Sequence, residues 1–143
     1  MARIRTIKPE FPQSESMGRV SREARLCFIL MWPQADDAGR LRASSRALAS
    51  LLFPFDNDAP QLIDKWLGEL ERERCITIYE VDGKHYLQIN NFLLHQKIDH
   101  PSRSFIPPIP EGYSRAFAEP SRAFAEPSRA FAEPSPPYRE GKG

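Results

Sequence analysis

The residues best suited to chemistry lie near position 100. His95 and Asp99 are four residues apart, which would place two metal ligands on one face of a helix, and His100 follows directly. These two or three ligands next to Pro101 would form an open site without supporting residues. We therefore interpret His95, Gln96 and Lys97 as polar residues that close the domain, and we predict no metal site.

Other catalytic patterns are missing from the sequence. Nucleophilic catalysis needs a nucleophile beside a base, and acid–base catalysis needs paired carboxylates, but neither arrangement stands out. The chain has only seven glycines, and none falls in the GxxxxGK or GxGxxG spacing of a phosphate-binding loop. The sequence thus predicts a protein that is not an enzyme, with no catalytic residues and no cofactor.

Length and apolar content limit the organisation of the chain. Its 143 residues can form one domain with a hydrophobic core, but not two. Cys27 and Cys75 lie in apolar runs rather than at disulfide-framework spacing. No apolar segment approaches the roughly 20 residues of a membrane span, and MARIRTIKPEF lacks the apolar stretch of a secretory signal. We therefore predict a cytoplasmic protein with reduced thiols and no membrane partner.

Charge is unevenly distributed along the chain. The formal net charge is +1, but residues 1–50 hold nine Lys and Arg against five Asp and Glu, whereas residues 51–100 hold five against nine. Proteins that bind nucleic acid unaided usually show a larger excess of positive charge. The small net charge therefore weakens the interpretation as a protein that binds nucleic acid without a partner.

Three helices and a short strand are predicted in the first 74 residues. Residues 1–20 read as an irregular basic arm, punctuated by prolines. Ser21 is expected to cap an apolar helix from Ala24 to Trp32 that is buried on most of its circumference. Two further helices follow the Arg40-Leu41-Arg42 edge strand. The second helix is capped by Ser44 or Ser45 and has Leu48, Leu51 and Leu52 on its apolar face. The third helix begins at Asp58 with an Asp58–Gln61 capping box. Its core stripe is Ile63, Trp66, Leu67 and Leu70.

The pair Asp82-Gly83 gives the clearest local signal, because it suits the tight turn of a β-hairpin. Counting outward from this turn pairs Val81 with Lys84, Glu80 with His85, Tyr79 with Tyr86, Ile78 with Leu87 and Ile76 with Ile89. The isoleucines and Leu87 then share the core face. The Tyr79–Tyr86 pair is predicted on the opposite, solvent-facing side, either as a contact surface beside Lys84 or as a pair that only stiffens the hairpin.

The composition changes after residue 100 to Pro, Ser, Arg and Glu, without a core stripe. SRAFAEP occurs three times, at Ser114–Pro120, Ser121–Pro127 and Ser128–Pro134. A proline in every copy opposes a helix by about 3 kcal/mol per repeat. We predict an arm over residues 1–20, a folded domain over 21–100 and a disordered tail over 101–143.

The order of helices, strand and hairpin is that of a winged helix, a helix-turn-helix relative. The segments IKPEF, SREARLCFILMW, ADDAGRLRAS, LLFPFDNDAP, LGELERE and YLQINNFLLHQKIDHPS resemble the amino-terminal domain of phage and prophage replication proteins, which are similar to replisome organisers and DnaD-like initiators. This resemblance covers about residues 4–103. It implies an α+β winged helix, with three helices and a hairpin wing, that acts on double-stranded DNA or replisome proteins in a bacterial host cell.

Two sets of contact residues follow from these readings. The third helix is acidic and would repel phosphate, so DNA contacts are expected from the arm, the strand edge and the wing. The predicted nucleic-acid contacts are Arg3, Arg5, Lys8, Arg40, Arg42, Arg46, Lys84, Tyr86 and Lys97. The alternative is a protein-binding phage factor, for example an inhibitor of a host defence complex, whose contacts would be Asp64, Glu69, Glu71, Phe117, Phe124 and Phe131.

Overall fold

Residues 2–113, which the computed structural model describes, form an α+β fold in which helices pack on a small three-stranded antiparallel sheet. The regular elements in chain order are α1 (Glu15–Gly18), α2 (Arg22–Met31), β1 (Arg40–Arg42), α3 (Ser45–Leu52), α4 (Ala59–Arg72), β2 (Ile76–Val81), β3 (Lys84–Ile89) and α5 (Phe92–His95). Short 3-10 turns lie at Phe11–Gln13 and Trp32–Gln34.

Helix α2 confirms both the predicted cap and the predicted burial. The Ser21 hydroxyl accepts the Ala24 N–H at 3.1 Å, which satisfies one of the free donors at the helix start. From Ala24 to Trp32, five side chains are buried and three are partly buried, because α3, α4 and Phe11 pack around the helix. Within this stretch Leu26 alone is exposed, at 48%.

Helix α3 begins where the sequence predicts. The Ser44 hydroxyl accepts the Ala47 N–H, and Leu48 and Leu52 are buried in the core. Leu51, predicted on the same face, is instead half exposed. The neighbouring Ala49 takes part in the core in its place, so the apolar face of α3 is rotated away from Leu51.

Helix α4 supplies the central stripe of the core. Ile63, Trp66, Leu67 and Leu70 are all buried, as their helical spacing predicts. The predicted capping box is absent, because Asp58 has helical dihedral angles and its side chain makes no cap hydrogen bond. Pro60 in the first turn needs no N–H partner, which makes this start tolerable.

The β2–β3 hairpin has the predicted register at every pair, from Ile76 opposite Ile89 to Val81 opposite Lys84. Asp82 and Gly83 both have positive φ, at 54° and 78°, as the tight two-residue turn requires. Strand β1 pairs with β3, with Leu41 opposite Leu87, so the sheet order is β1-β3-β2. The predicted edge position of β1 is confirmed.

Residues near the amino terminus depart from the expected irregular arm. Helix α1 is capped by Ser14, and Met17 and Val20 are buried in the core. Phe11 stacks near Phe28 and meets Trp32 edge-on, with ring centroids 6.4 and 5.3 Å apart. Burial of these apolar side chains holds the segment against α2, an effect that its prolines conceal in the sequence.

The segment after residue 100 also packs against the domain. Residues 102–113, here called the C-terminal strap, form no helix or strand but hydrogen-bond to the turn at Asp36-Asp37 and to the sheet. The described fold thus continues past the predicted end near residue 100. The three SRAFAEP copies lie outside the described residues.

Candidate nucleic-acid interface

The predicted DNA contacts fall into three groups when they are placed on the fold. Arg5 and Tyr86 are buried, and Arg3 and Arg40 are partly exposed but hydrogen-bonded within the protein. The exposed Lys8 donates its ammonium to the Leu94 carbonyl at 3.3 Å. The remaining side chains are exposed and form no hydrogen bond or ion pair with any described residue: Arg42, Arg46, Lys84 and Lys97.

Arg5 is a structural residue and not an available phosphate contact. Its side chain is 4% exposed and forms an ion pair at 3.2 Å with Asp37, which is 2% exposed. The same guanidinium donates to the carbonyls of Trp32, Ala35 and Asp36, at 3.1, 2.8 and 3.2 Å. Its face also lies 5.0 Å from the Phe92 ring centroid. Arg5 could contact DNA only by moving outward, which would remove this ion pair from the buried Asp37 carboxylate.

Asp37 connects the two ends of the described chain. Its carboxylate accepts the Ser102 N–H at 2.8 Å and forms a second ion pair with Arg3 at 3.3 Å. The hydrogen bond from Ser102, the one from Arg5 and the two positive charges together hold the pKa of Asp37 below its usual range, although burial acts in the opposite direction. Arg3 also donates to the Ser102 hydroxyl at 2.8 Å.

Tyr86 is not solvent-facing either. Its ring lies 5.9 Å from that of Tyr79, as the register predicts, but Tyr79 is 1% exposed and Tyr86 is 9% exposed. The C-terminal strap contacts this pair at Tyr79, whose hydroxyl donates to the Pro107 carbonyl at 2.6 Å. Alternation along a strand predicts which face a side chain occupies, but not whether a distant segment covers that face.

Arg42, Arg46 and Lys84 form what we call the basic corner. Arg42 is opposite Tyr86 in the β1–β3 register, and Lys84 is two residues along β3, about 7 Å further. The Ala43 N–H donates to the His85 carbonyl at 3.0 Å, so the start of α3, which carries Arg46, lies beside the same end of the sheet. Three cationic side chains are therefore exposed where the wing meets α3.

Acidic groups near the basic corner are partly engaged. Glu80 lies 3.6 Å from His85, with both side chains exposed, and the Asp64 carboxylate accepts the Ser45 hydroxyl. The charge of the corner is thus moderate, and we expect its effect on binding to depend strongly on salt.

The residues predicted for protein binding are largely occupied by the fold. Both carboxylate oxygens of Glu69 accept from Ser21, its N–H at 2.6 Å and its hydroxyl at 3.0 Å, so Glu69 anchors the start of α2 to α4. Asp64 is bonded to Ser45, and Glu71 is half-buried. Phe117, Phe124 and Phe131 lie outside the described residues.

A groove that sequence reasoning missed lies between the amino-terminal segment, α2 and the start of α5. It has a volume of about 450 Å³ and is lined by Phe11, Phe28, Trp32, Cys75 and Phe92 with polar residues at its rim. Phe11 and Phe92 are far from the Phe28–Trp32 pair in sequence, which explains why no local pattern revealed the groove. Burial raises the pKa of the Cys75 thiol to about 11, so this sulfur is protonated at neutral pH.

Two findings concern broad functional classes. Within residues 2–113, no group of three or more His, Cys, Asp or Glu side chains is placed to hold a metal ion. No helix in the same range is long and apolar enough to cross a membrane.

Comparison with known proteins returned no match to a protein-family model, a curated protein or a solved structure.

Proposed function

We propose that this chain is a winged-helix DNA-binding protein of the phage replication type, acting in the cytoplasm of a bacterial host. The elements follow the helix and strand order of that fold: α2, β1, α3, α4 and then the β2–β3 hairpin. The sheet order β1-β3-β2 is compatible with it. In this assignment α3 and α4 form the helix-turn-helix and the hairpin is the wing.

The observation that carries the proposal is the basic corner. Arg3, Arg5 and Arg40 are engaged in holding the fold together, whereas the side chains of Arg42, Arg46 and Lys84 are exposed and form no hydrogen bond or ion pair with other described residues. Cations in this condition can bind phosphate without first breaking an internal ion pair. The corner also lies at the junction of wing and helix, where a duplex would pass.

Duplex binding should lose salt dependence when the corner is neutralised. We expect Arg42→Ala with Arg46→Ala to weaken binding and to reduce the slope of log affinity against log salt by about 1.8, since each phosphate contact contributes about 0.9. Lys84→Ala should reduce it by about 0.9. Fluorescence anisotropy with a duplex oligonucleotide over a range of salt concentrations provides the measurement.

Arg22→Ala with Arg103→Ala is the matched control, because it removes two exposed positive charges outside the corner. Equal slopes for the parent, the corner variant and this control would contradict phosphate binding by the corner.

A protein-binding role is the second candidate, and one observation favours it. Leu93 and Leu94 on α5 are 58% and 72% exposed, and Ile7 is 54% exposed beside Lys8, whose ammonium contacts the Leu94 carbonyl. Exposed apolar side chains that adjoin one another are typical of contact surfaces. Leu94→Ser that abolishes partner capture from nuclease-treated host cytosol, with duplex affinity unchanged, would support this role.

A further inference from the structure

The outer face of the sheet carries an aromatic pair surrounded by cations. Tyr79 and Tyr86 lie on the side opposite Leu41, Leu87 and Ile76, because side chains alternate along each strand. The two tyrosines are buried, yet they do not belong to the hydrophobic cluster beneath the sheet. The cationic residues on this same face are Arg40, Arg42 and Lys84.

The C-terminal strap contacts this outer face at Tyr79 and Arg40, and it is attached by side-chain contacts rather than by strand pairing. The Tyr79 hydroxyl donates to the Pro107 carbonyl at 2.6 Å, and Arg40 donates to the Ile106 carbonyl at 3.3 Å. At its two ends, the Ser104 hydroxyl donates to Asp36 at 2.5 Å and the Tyr113 hydroxyl donates to the Ile78 carbonyl at 2.6 Å.

Prolines explain why the strap is not a fourth strand. Pro107, Pro108 and Pro110 have no N–H to donate, so the segment cannot form a continuous ladder with the sheet. The hydrogen bonds between β1, β2 and β3 are complete without it. Displacing the strap therefore leaves the sheet intact.

The strap also leaves much of its apolar surface exposed. Phe105, its largest apolar side chain, is 89% exposed, while Ile106 and Ile109 are only partly buried. Hydrogen bonds that involve carbonyls and two carboxylates, Asp36 and Asp37, hold most of the segment, and water can replace each of them when the segment leaves. Such a cover is displaced more easily than a packed helix.

We propose that the outer face of the sheet is a binding site for unpaired nucleic-acid bases, which the C-terminal strap occupies in this structure. Aromatic rings beside cations bind single strands by stacking on the bases and attracting the backbone phosphates. Tyr79 and Tyr86 would provide the stacking surface, and Arg40 would exchange the Ile106 carbonyl for a phosphate. This site goes beyond the proposed duplex contacts, which do not require the tyrosines.

The test loosens the strap in the full-length chain by Ser104→Ala together with Tyr113→Phe. Both substitutions remove hydroxyl hydrogen bonds at the strap ends and leave the proposed stacking residues unchanged. We expect the affinity for short oligodeoxythymidine to rise about tenfold, because the strap then competes less well for the face. Duplex affinity should stay unchanged. Oligouridine, measured in parallel, distinguishes DNA from RNA as the source of the unpaired bases.

Tyr86→Leu added to the loosened variant should remove the gain, since leucine keeps apolar bulk but has no ring on which a base can stack. An increase that survives this change would overturn the assignment of the site to the tyrosine pair. So would equal oligodeoxythymidine affinity of the loosened variant and the parent.

Hydrogen exchange of the parent protein gives a second readout that needs no substitution. With saturating oligodeoxythymidine, the amides of the strap should exchange faster while those of β2 and β3 stay protected. Unchanged strap exchange, or no binding of the oligonucleotide at all, would overturn the proposal. Duplex binding could still depend on the basic corner, so failure here is distinguishable from failure of the proposed function.

Discussion

Asp37 is a buried carboxylate whose charge depends on contacts from two distant parts of the chain, the amino-terminal segment and the C-terminal strap. The hydrogen bond from Ser102, the one from Arg5 and the charge of Arg3 hold its pKa below the value of about 3.9 that is usual in an unfolded chain. A group whose pKa is lower in the folded state stabilises the fold above its unfolded pKa. That contribution is lost as the pH falls through the folded pKa.

Asp37→Asn should therefore destabilise the protein at neutral pH, by about 3 kcal/mol, because Arg5 is left buried without its ion pair. The difference in urea midpoint between parent and variant should narrow as the pH falls below the usual carboxyl range, because Asp37 itself then becomes protonated. Asp56→Asn, at an exposed position, is the matched control and should show no such trend. A difference that stays constant with pH would contradict the linkage.

Arg74 occupies a backbone conformation that favours glycine. Its φ is 63°, and the next residue, Cys75, donates its N–H to the Leu70 carbonyl at 2.9 Å, which closes the end of α4. Arg74→Gly should raise the free energy of unfolding by about 1 kcal/mol, as measured in urea. The control Arg72→Gly lies at the last residue of α4, where the backbone is helical, and should lower the free energy of unfolding by a similar amount. If Arg74→Gly instead destabilises the protein, the arginine side chain contributes more to stability than its strained backbone costs.

At the scale of elements, the β2–β3 hairpin depends on its turn. Gly83 has φ 78° and open space around its Cα, so a substitution there is strained by the backbone and not by collision. Gly83→Val should lower the melting temperature, because a β-branched residue disfavours positive φ. Asp82→Asn is the control, since asparagine tolerates the left-handed conformation, and it should melt close to the parent. An unchanged melting temperature for Gly83→Val would mean that the turn contributes little to stability.

Local patterns predicted the elements that depend on neighbouring residues. The Asp82-Gly83 turn determines the hairpin register because strands have a period of two, and the stripe from Ile63 to Leu70 determines the buried face of α4. The burial of Arg5 depends instead on its ion pair with Asp37, which is distant in sequence. The burial of the Tyr79–Tyr86 pair likewise depends on contact with a proline-rich segment whose sequence has no core pattern.

The candidate site was likewise predictable only where local features decide exposure. Arg42 lies on an edge strand, Arg46 lies in the first turn of a helix, and Lys84 lies beside a hairpin turn. These local features leave all three side chains exposed. Arg3, Arg5 and Arg40 have the same residue type but contact acids, amides and carbonyls that only the tertiary structure brings near. Residue type therefore shows which positions are charged. It does not show which cations are engaged in the fold and which are available to bind a ligand.

At the scale of the whole molecule, the Asp36-Asp37 turn joins both ends of the described chain. Arg3 and Arg5 approach it from the amino terminus, and Ser102 and Ser104 approach it from the strap. These contacts join residues 32 to 68 positions apart. Helices α3 and α4 and the two strands of the hairpin, by contrast, contact the next element along the chain.

During synthesis on the ribosome, this arrangement sets an order of assembly. The amino-terminal residues and the Asp36-Asp37 turn emerge long before Ser102, so for most of translation the Asp37 carboxylate lacks the N–H that Ser102 supplies in the finished fold. The basic corner and the hairpin can form during that interval, whereas the outer face of the sheet stays uncovered until the strap has been made. A nascent chain would thus present Tyr79 and Tyr86 to the surrounding nucleic acid before the mature protein hides them.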